Sequence, residues 1–294
     1  MIAALARLPD EGKGILFMII TVFLFSVMDA TAKGLSARYD PVQVVWARFA
    51  GQTLMVMLML GPRLGQILRT RFLGLQVVRS LALFGATTSL FTALAFMPLP
   101  TAIAVFQAGP LFVTILAFFV LHEPVGPRRL AAVGVGLMGA LTIIRPGAEV
   151  FSPFALLPLL AAVCYGAYVT STRFLGNEED PWTSFLYTAL FGTVLASLVV
   201  PFFWTTPTMA DIGLFALMAG FGAAGHYVLI HALRLASAST LAPYAYVSLI
   251  FSTFWGFTLF ADLPDGWTVF GALVIVAAGL YVWHRERRAR QATP

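Results

Sequence analysis

Apolar stretches recur along the chain over 14–35, 41–60, 72–97, 100–121, 127–144, 153–174, 181–203, 209–234, 238–261 and 267–284, each closed by a short polar or Pro/Gly break. About 20 apolar residues in a helix, at about 1.5 Å per residue, match the hydrocarbon thickness of a bilayer. No water reaches backbone groups at that depth, so each stretch is expected to be helical. The pattern predicts an all-α integral membrane protein of ten transmembrane helices, with no soluble domain left over. The first stretch is too long for a signal-peptide core, contains Asp29 and lacks a small-residue cleavage site, so it is read as retained.

Shifting the sequence by 140 residues brings Asp40-Pro41 onto Asp180-Pro181, Lys33 onto Arg173, Pro124 onto Pro264, Gly139 onto Gly279 and Arg145 onto Arg285. Two repeats follow, residues 14–145 and 153–285. Five helices in each half is an odd number, so the second half enters the membrane from the opposite side. Such inverted repeats can exchange conformations around a midplane site, which points to a secondary transporter. A channel or a non-transporting scaffold is the reading of another class.

Composition changes this picture little. The chain is 60% hydrophobic and 11% charged, which excludes an ordinary soluble domain. With the N-terminus in the cytoplasm, that side carries 13 basic residues, from Arg7 and Lys13 to the tail Arg285, Arg287, Arg288 and Arg290. The other side carries Lys33, Arg38 and Arg145, and the asymmetry places both termini in the cytoplasm. The net charge of +5 is therefore a matter of topology and anionic lipid contact, with no nucleic acid implied. Sixteen of the 18 basic residues are Arg, which suggests a GC-rich bacterial genome and hence an inner membrane. The single cysteine, Cys164, lies in an apolar run and allows neither a disulfide nor a multi-cysteine metal site.

Ionisable groups at bilayer depth are costly and mark sites or their partners. Asp29 lies about 22 Å along the first helix, and Arg48 about 10 Å down the second from the same outer side, so their depths match. Asp29 either contacts a cationic solute group, exchanges a proton, or forms a fixed ion pair with Arg48. Lys33, at i+4, is a second local partner for it. The 140-residue shift takes Asp29 to Val169 and Arg48 to Thr188, so this charge pair breaks the repeat. Arg79, near the cytoplasmic face, either snorkels to headgroups or binds an anionic group. His226 is deep enough to line a cavity, and His231, five residues on, lies off its face, so the two make no metal pair. Tyr165, Tyr168, Tyr244, Tyr246 and Trp255 suit a ring-bearing solute or plain packing. Gln107 and the run Thr87-Thr88-Ser89 add neutral hydrogen-bonding groups. Pro110 and Pro243 are candidate gating bends. Ala132, Gly136 and Ala140 form a small-residue stripe that fits either a homodimer contact or packing between repeats.

Arg48-Phe49 in the second stretch, Leu121 to Pro124 after the fourth, the glycines of the fifth and the segment from Leu241 to Gly279 resemble the EamA-type permeases of the drug/metabolite transporter superfamily. The likeness spans essentially the whole chain. Its APY and LPDGWTVFGA segments are most similar to the branch that includes S-adenosylmethionine and riboflavin uptake carriers. The resemblance implies ten helices and a central cavity walled mainly by the first, third, fourth, sixth, eighth and ninth. It also implies alternating access without ATP. Asp262 stands where that family more often has Glu, a departure expected to affect a helix end and not the solute.

The expected function is movement of a small polar organic metabolite, by uptake of a ring-containing compound such as S-adenosylmethionine or riboflavin, or else export of amino acids or related metabolites. Proton or counter-solute coupling is open. No phosphate loop, nucleophile elbow or histidine ligand pair is present in the sequence, so neither an enzyme nor a cofactor is expected.

Overall fold

The computed structural model describes residues 9–61, 64–120, 122, 126–148, 151–175 and 178–291. Arg7, Arg63, and Leu121, Glu123 and Pro124 of the Leu-His-Glu-Pro motif lie outside the described residues. The apolar pattern becomes α1 (Asp10–Ser36), α2 (Pro41–Leu60), α3 (Leu73–Phe96), α4 (Leu99–Phe106), α5 (Gly109–Val120) and α6 (Pro127–Ile144) in the first half. The second half holds α7 (Leu157–Leu175), α8 (Pro181–Val199), α9 (Met209–Leu235), α10 (Ser248–Phe260) and α11 (Gly266–Gln291).

The repeated Asp-Pro landmark is a helix start used twice. Asp40 accepts the Val42 N–H at 2.8 Å and Asp180 accepts the Trp182 N–H at 2.9 Å, with Pro41 and Pro181 at the first helical position. Each aspartate satisfies an N–H that the helix itself cannot, and each proline gives up an N–H that had no partner anyway.

Two of the expected helices are broken. The fourth stops at Phe106, turns at Gln107 and Ala108, and resumes as α5, because Pro110 has no N–H for the Phe106 carbonyl. The ninth is corrected from one helix over 238–261 to three pieces. These are the turn Ala238–Leu241, the 3-10 stretch Ala242–Val247 containing Pro243, and α10. Among the described residues, nine stretches are long and apolar enough to cross a membrane, α4 and α5 counting together.

α1 packs along α9, α3 along α7, α6 along α11 and α2 along α8, while α9 also meets α2 and α8 also meets α3. α10 meets α1 and α4, and α5 meets α7. Large apolar side chains such as Leu58, Leu198, Phe202 and Ile250 face outward, whereas Gln43, Arg48, Gln52, Gln76 and Arg79 are buried. This inside-out polarity is what lipid demands.

Close approach decides the α6–α11 seam. Gly136 lies against Leu111 and Ala278, so this part of the small-residue stripe is occupied by packing within the chain. A Cβ on Gly271 would come within 2.5 Å of the Gly139 carbonyl oxygen and 2.5 Å of Ile143. One on Gly222 would meet only the flexible Met28 thioether, at 2.9 Å. Gly271→Ala is therefore expected to destabilise by about 1–3 kcal/mol and Gly222→Ala by less than about 1 kcal/mol. Thermal unfolding in detergent checks the ranking; equal losses would contradict it.

Candidate functional site

A cavity of about 230 Å³ lies among α1, α3, α4, α7, α9 and α10, with Arg48 entering from α2. On α1 it is lined by Met18, Thr21, Phe25 and Asp29, which recur every three or four residues and so share one helix face. Ser248 and Ser252 line it from α10 by the same spacing. Thr87, Leu90 and Phe91 of α3 form another wall, and the break between α4 and α5 contributes Phe106, Gln107 and Pro110. Gln107 donates to the Ala245 carbonyl at 3.2 Å, joining the two broken segments across the cavity. Phe106 and Tyr165 meet edge to face at 5.5 Å.

Two opposite charges enter this mostly apolar space without meeting. Asp29 Oδ1 is buried and has no hydrogen-bond partner, and no ion pair within 4.0 Å joins it to Arg48. Arg48 is 4% exposed. Its Nη2 lies 3.5 Å from His226 Nε2 and its guanidinium 4.5 Å from the Phe49 ring, while Nε and Nη1 are buried without partners. His226 is wedged between Phe25 and Phe185, at 4.9 Å and 5.2 Å between ring centres.

Asp29, Arg48, Gln107, Tyr165 and His226 thus share one cavity. Three of the alternatives left open by the sequence are not the ones adopted. Asp29 and Arg48 form no direct staple. Lys33 turns away from Asp29 to pair with Asp262 at 3.3 Å, donating also to the carbonyls of Leu94 at 3.3 Å and Met97 at 2.8 Å. Arg79 does not reach for headgroups. It is 5% exposed and donates to Thr172, the Ser184 carbonyl, Thr188 and the Tyr168 hydroxyl at 2.7–2.9 Å.

Tyr168 is held outside the cavity by that bond, and the Trp255 indole N–H is given to Ser26 at 3.0 Å. Tyr244 and Tyr246 also lie off the cavity wall, the Tyr246 hydroxyl resting against Gly279. The expectation for Asp262 concerned a helix end, and its carboxylate accepts the Leu99 N–H at the start of α4, 3.2 Å away. Thr21, Ser26, Ser248 and Ser252 line the cavity without having been singled out. The three-to-four-residue spacing back from Asp29 would have found Thr21 and Ser26.

The chain matches the EamA-like transporter family over residues 12–145 and again over 153–283. It is 27% identical over 277 residues to an S-adenosylmethionine uptake transporter of Rickettsia prowazekii, covering 94% of both chains. It is 27% identical over 279 residues to a riboflavin transporter of Rhizobium johnstonii, covering 94% of this chain and 92% of that one. A pseudopaline exporter of Pseudomonas aeruginosa is 26% identical over 271 residues, 90% of this chain and 94% of that one. One solved crystal structure superposes with a TM-score of 0.60 at 20% identity, over 95% of this chain and 99% of the other, which shows a shared fold.

Proposed function

Because this chain belongs to the EamA-like transporter family, we propose that it is a secondary active transporter carrying a small polar organic metabolite through the central cavity by alternating access. The convergence of Asp29, Arg48 and His226 on one apolar-walled cavity, with Asp29 Oδ1 and the Arg48 Nε and Nη1 buried without partners, carries this reading. A channel would need polar groups along its whole length, not a cluster at one depth.

The reading includes ten membrane segments in two inverted repeats, of residues 14–145 and 153–285, in a bacterial inner membrane with both termini cytoplasmic. Helix packing supports the repeat. Exchanging the halves turns the α1–α9 pairing into α7–α3, α2–α9 into α8–α3, and α1–α10 into α7–α5, all of which are present. The pairs α2–α8 and α6–α11 map onto themselves. A cavity of about 230 Å³ falls below the usual range of roughly 300–1,000 Å³ for ligand pockets, so a ring-bearing solute enters only as the halves separate.

The relatives favour uptake of a ring-containing metabolite of the S-adenosylmethionine or riboflavin kind. The exporter among them supports outward movement of an amino-acid-like metabolite as the second reading. Proteoliposomes offered labelled S-adenosylmethionine, riboflavin and amino acids, with and without a pH gradient, are expected to take up one solute saturably. Uptake no greater than in empty liposomes for every solute would sink the proposal.

A further inference from the structure

The cavity is flanked on its inner and outer sides by two helix seams of opposite chemistry. From this contrast we infer that the seam among α3, α7 and α8 is the gate that opens in the empty carrier, so that the unloaded cavity faces the cytoplasm. The inference rests on the transporter reading above, with its topology, and adds the resting state to it.

The α3–α7–α8 seam lies within about 10 Å of the inner ends of its helices. It is polar. Arg79 binds Tyr168 and Thr172 of α7 and Ser184 and Thr188 of α8, and Gln76 donates to Ser184 at 3.0 Å. The repeat supplies the comparison. The Asp40 and Asp180 caps fix the register of α2 against α8 at 140 residues. α3 and α9 end alike, with the Met97 N–H on the Ala93 carbonyl and the Ala236 N–H on the Ala232 carbonyl, which sets their register at 139. By these shifts Arg79 and Gln76 fall on Met218 and Phe215. Tyr168 and Thr172 fall on Met28 and Ala32, and Ser184 on Val44. All five counterparts are buried in one apolar cluster on the outer side, where α9 packs on α1 and α2. Thr188 has a charged counterpart, Arg48, which faces the cavity instead.

Water decides between the seams. Parting the outer one exposes its apolar side chains at the full hydrophobic cost. Parting the inner one exchanges its hydrogen bonds for bonds to water, at a small net cost for each. Opening also relieves groups that the closed state leaves unmet at about the same depth. Gln76 Oε1, Ser80 Oγ and both amide atoms of Gln52, one turn inward from Arg48, are buried without partners. Tyr39 and its counterpart Glu179 each close a rim by a hydrogen bond, Tyr39 donating to Asp211 outside and Glu179 accepting from Thr70 inside. Arg38 adds an ion pair to Asp211 at 2.7 Å, so the rims do not reverse the preference.

Thiol accessibility in the full chain carrying Cys164→Ser tests this. Ser184→Cys and Val44→Cys are repeat-related, near-isosteric and off the cavity wall. A charged, membrane-impermeant thiol reagent is applied without solute, and each rate is taken relative to that of the denatured chain. Ser184→Cys is expected to react from the cytoplasmic side at least about 10-fold faster than Val44→Cys from the outer side, because a minor state is populated to about 10% at most. If Ser184→Cys is not monodisperse, Ser80→Cys takes its place. Exposed Ala37→Cys and Gln66→Cys report the outer and inner faces independently. Faster labelling of Val44→Cys, equal rates, or protection of both positions overturns the inference. So does an Ala37→Cys that reacts only from the cytoplasmic side, which overturns the topology as well. Saturable uptake with both seams protected would overturn this inference and leave the transporter reading standing. The expected labelling with no flux of any solute would do the reverse.

Discussion

An Arg79→Ala chain is expected to lose most of its folded, monodisperse population after extraction, a destabilisation of roughly 2–5 kcal/mol. Arg79 reaches from α3 to two helices of the other half. It donates to Thr172 and Tyr168 of α7 and to the Ser184 carbonyl and Thr188 hydroxyl of α8, and its guanidinium lies 4.7 Å from the Tyr168 ring centre. Hydrogen bonds between membrane helices average only about 0.6 kcal/mol each. Alanine, however, removes all four at once and leaves sealed acceptors that no water replaces. Beside it, Gln76 donates to Ser184 at 3.0 Å, so the loss would propagate through a shared partner. Tyr168→Phe removes a single acceptor and is expected to cost about 0.5–1.5 kcal/mol. Arg79→Lys keeps the charge but not the planar fork and should fall between the two. Thermal unfolding followed by size-exclusion chromatography gives the order. An Arg79→Ala protein as stable as Tyr168→Phe would show that these bonds do not hold the halves together.

Helix positions were legible because their causes are local. The length of an apolar stretch is set by the bilayer, and the Asp-Pro starts at Asp40 and Asp180 cap their own helices. Pro110 and Pro243 marked the bent segments, but their proximity to the cavity only emerges when the halves pack. Asp29, Arg48 and His226 stood out as ionisable groups at depth, a signal that survives without knowing helix rotation. Rotation was the missing quantity elsewhere. Arg79 and Arg48 look alike in the sequence. One finds four acceptors and the other almost none, because the residues opposite them come from the second half. Four of the aromatics named as candidates, Tyr168, Tyr244, Tyr246 and Trp255, turn away from the cavity for the same reason. The i, i+4 spacing put Lys33 within reach of Asp29, yet the two helix ends assembled around Lys33 offer it more.

Those ends define the second large effect, at the Lys33–Asp262 junction. The C-terminal carbonyls of a helix carry partial negative charge and the N-terminal amides partial positive charge. Lys33 binds the Leu94 and Met97 carbonyls where α3 ends, and Asp262 binds the Leu99 N–H where α4 begins. Each residue thus complements one side of the tight turn between α3 and α4, and the two pair with each other while belonging to opposite halves of the chain. Lys33 also lies 5.3 Å from the Phe260 ring centre, which adds to its hold on α10. Asp262→Asn keeps an acceptor for Leu99 and removes only the charge. Lys33→Met keeps the stem and removes the charge and both carbonyl bonds. Lys33→Met is accordingly expected to cost more than Asp262→Asn. The double variant is expected to be less destabilised than the sum of the singles by about 0.5–3 kcal/mol, the coupling range for contacting groups. In transport, releasing the pair is expected to change the maximal rate severalfold with little change in half-saturation, since neither residue lines the cavity. A chain carrying both Lys33→Asp and Asp262→Lys should recover little, because each charge would then face the helix end of its own sign. Full recovery by that swap would mean the ion pair acts alone. Strictly additive singles would mean there is no pair to release, and only coupling without recovery fits a junction in which the helix ends fix the sign of each partner.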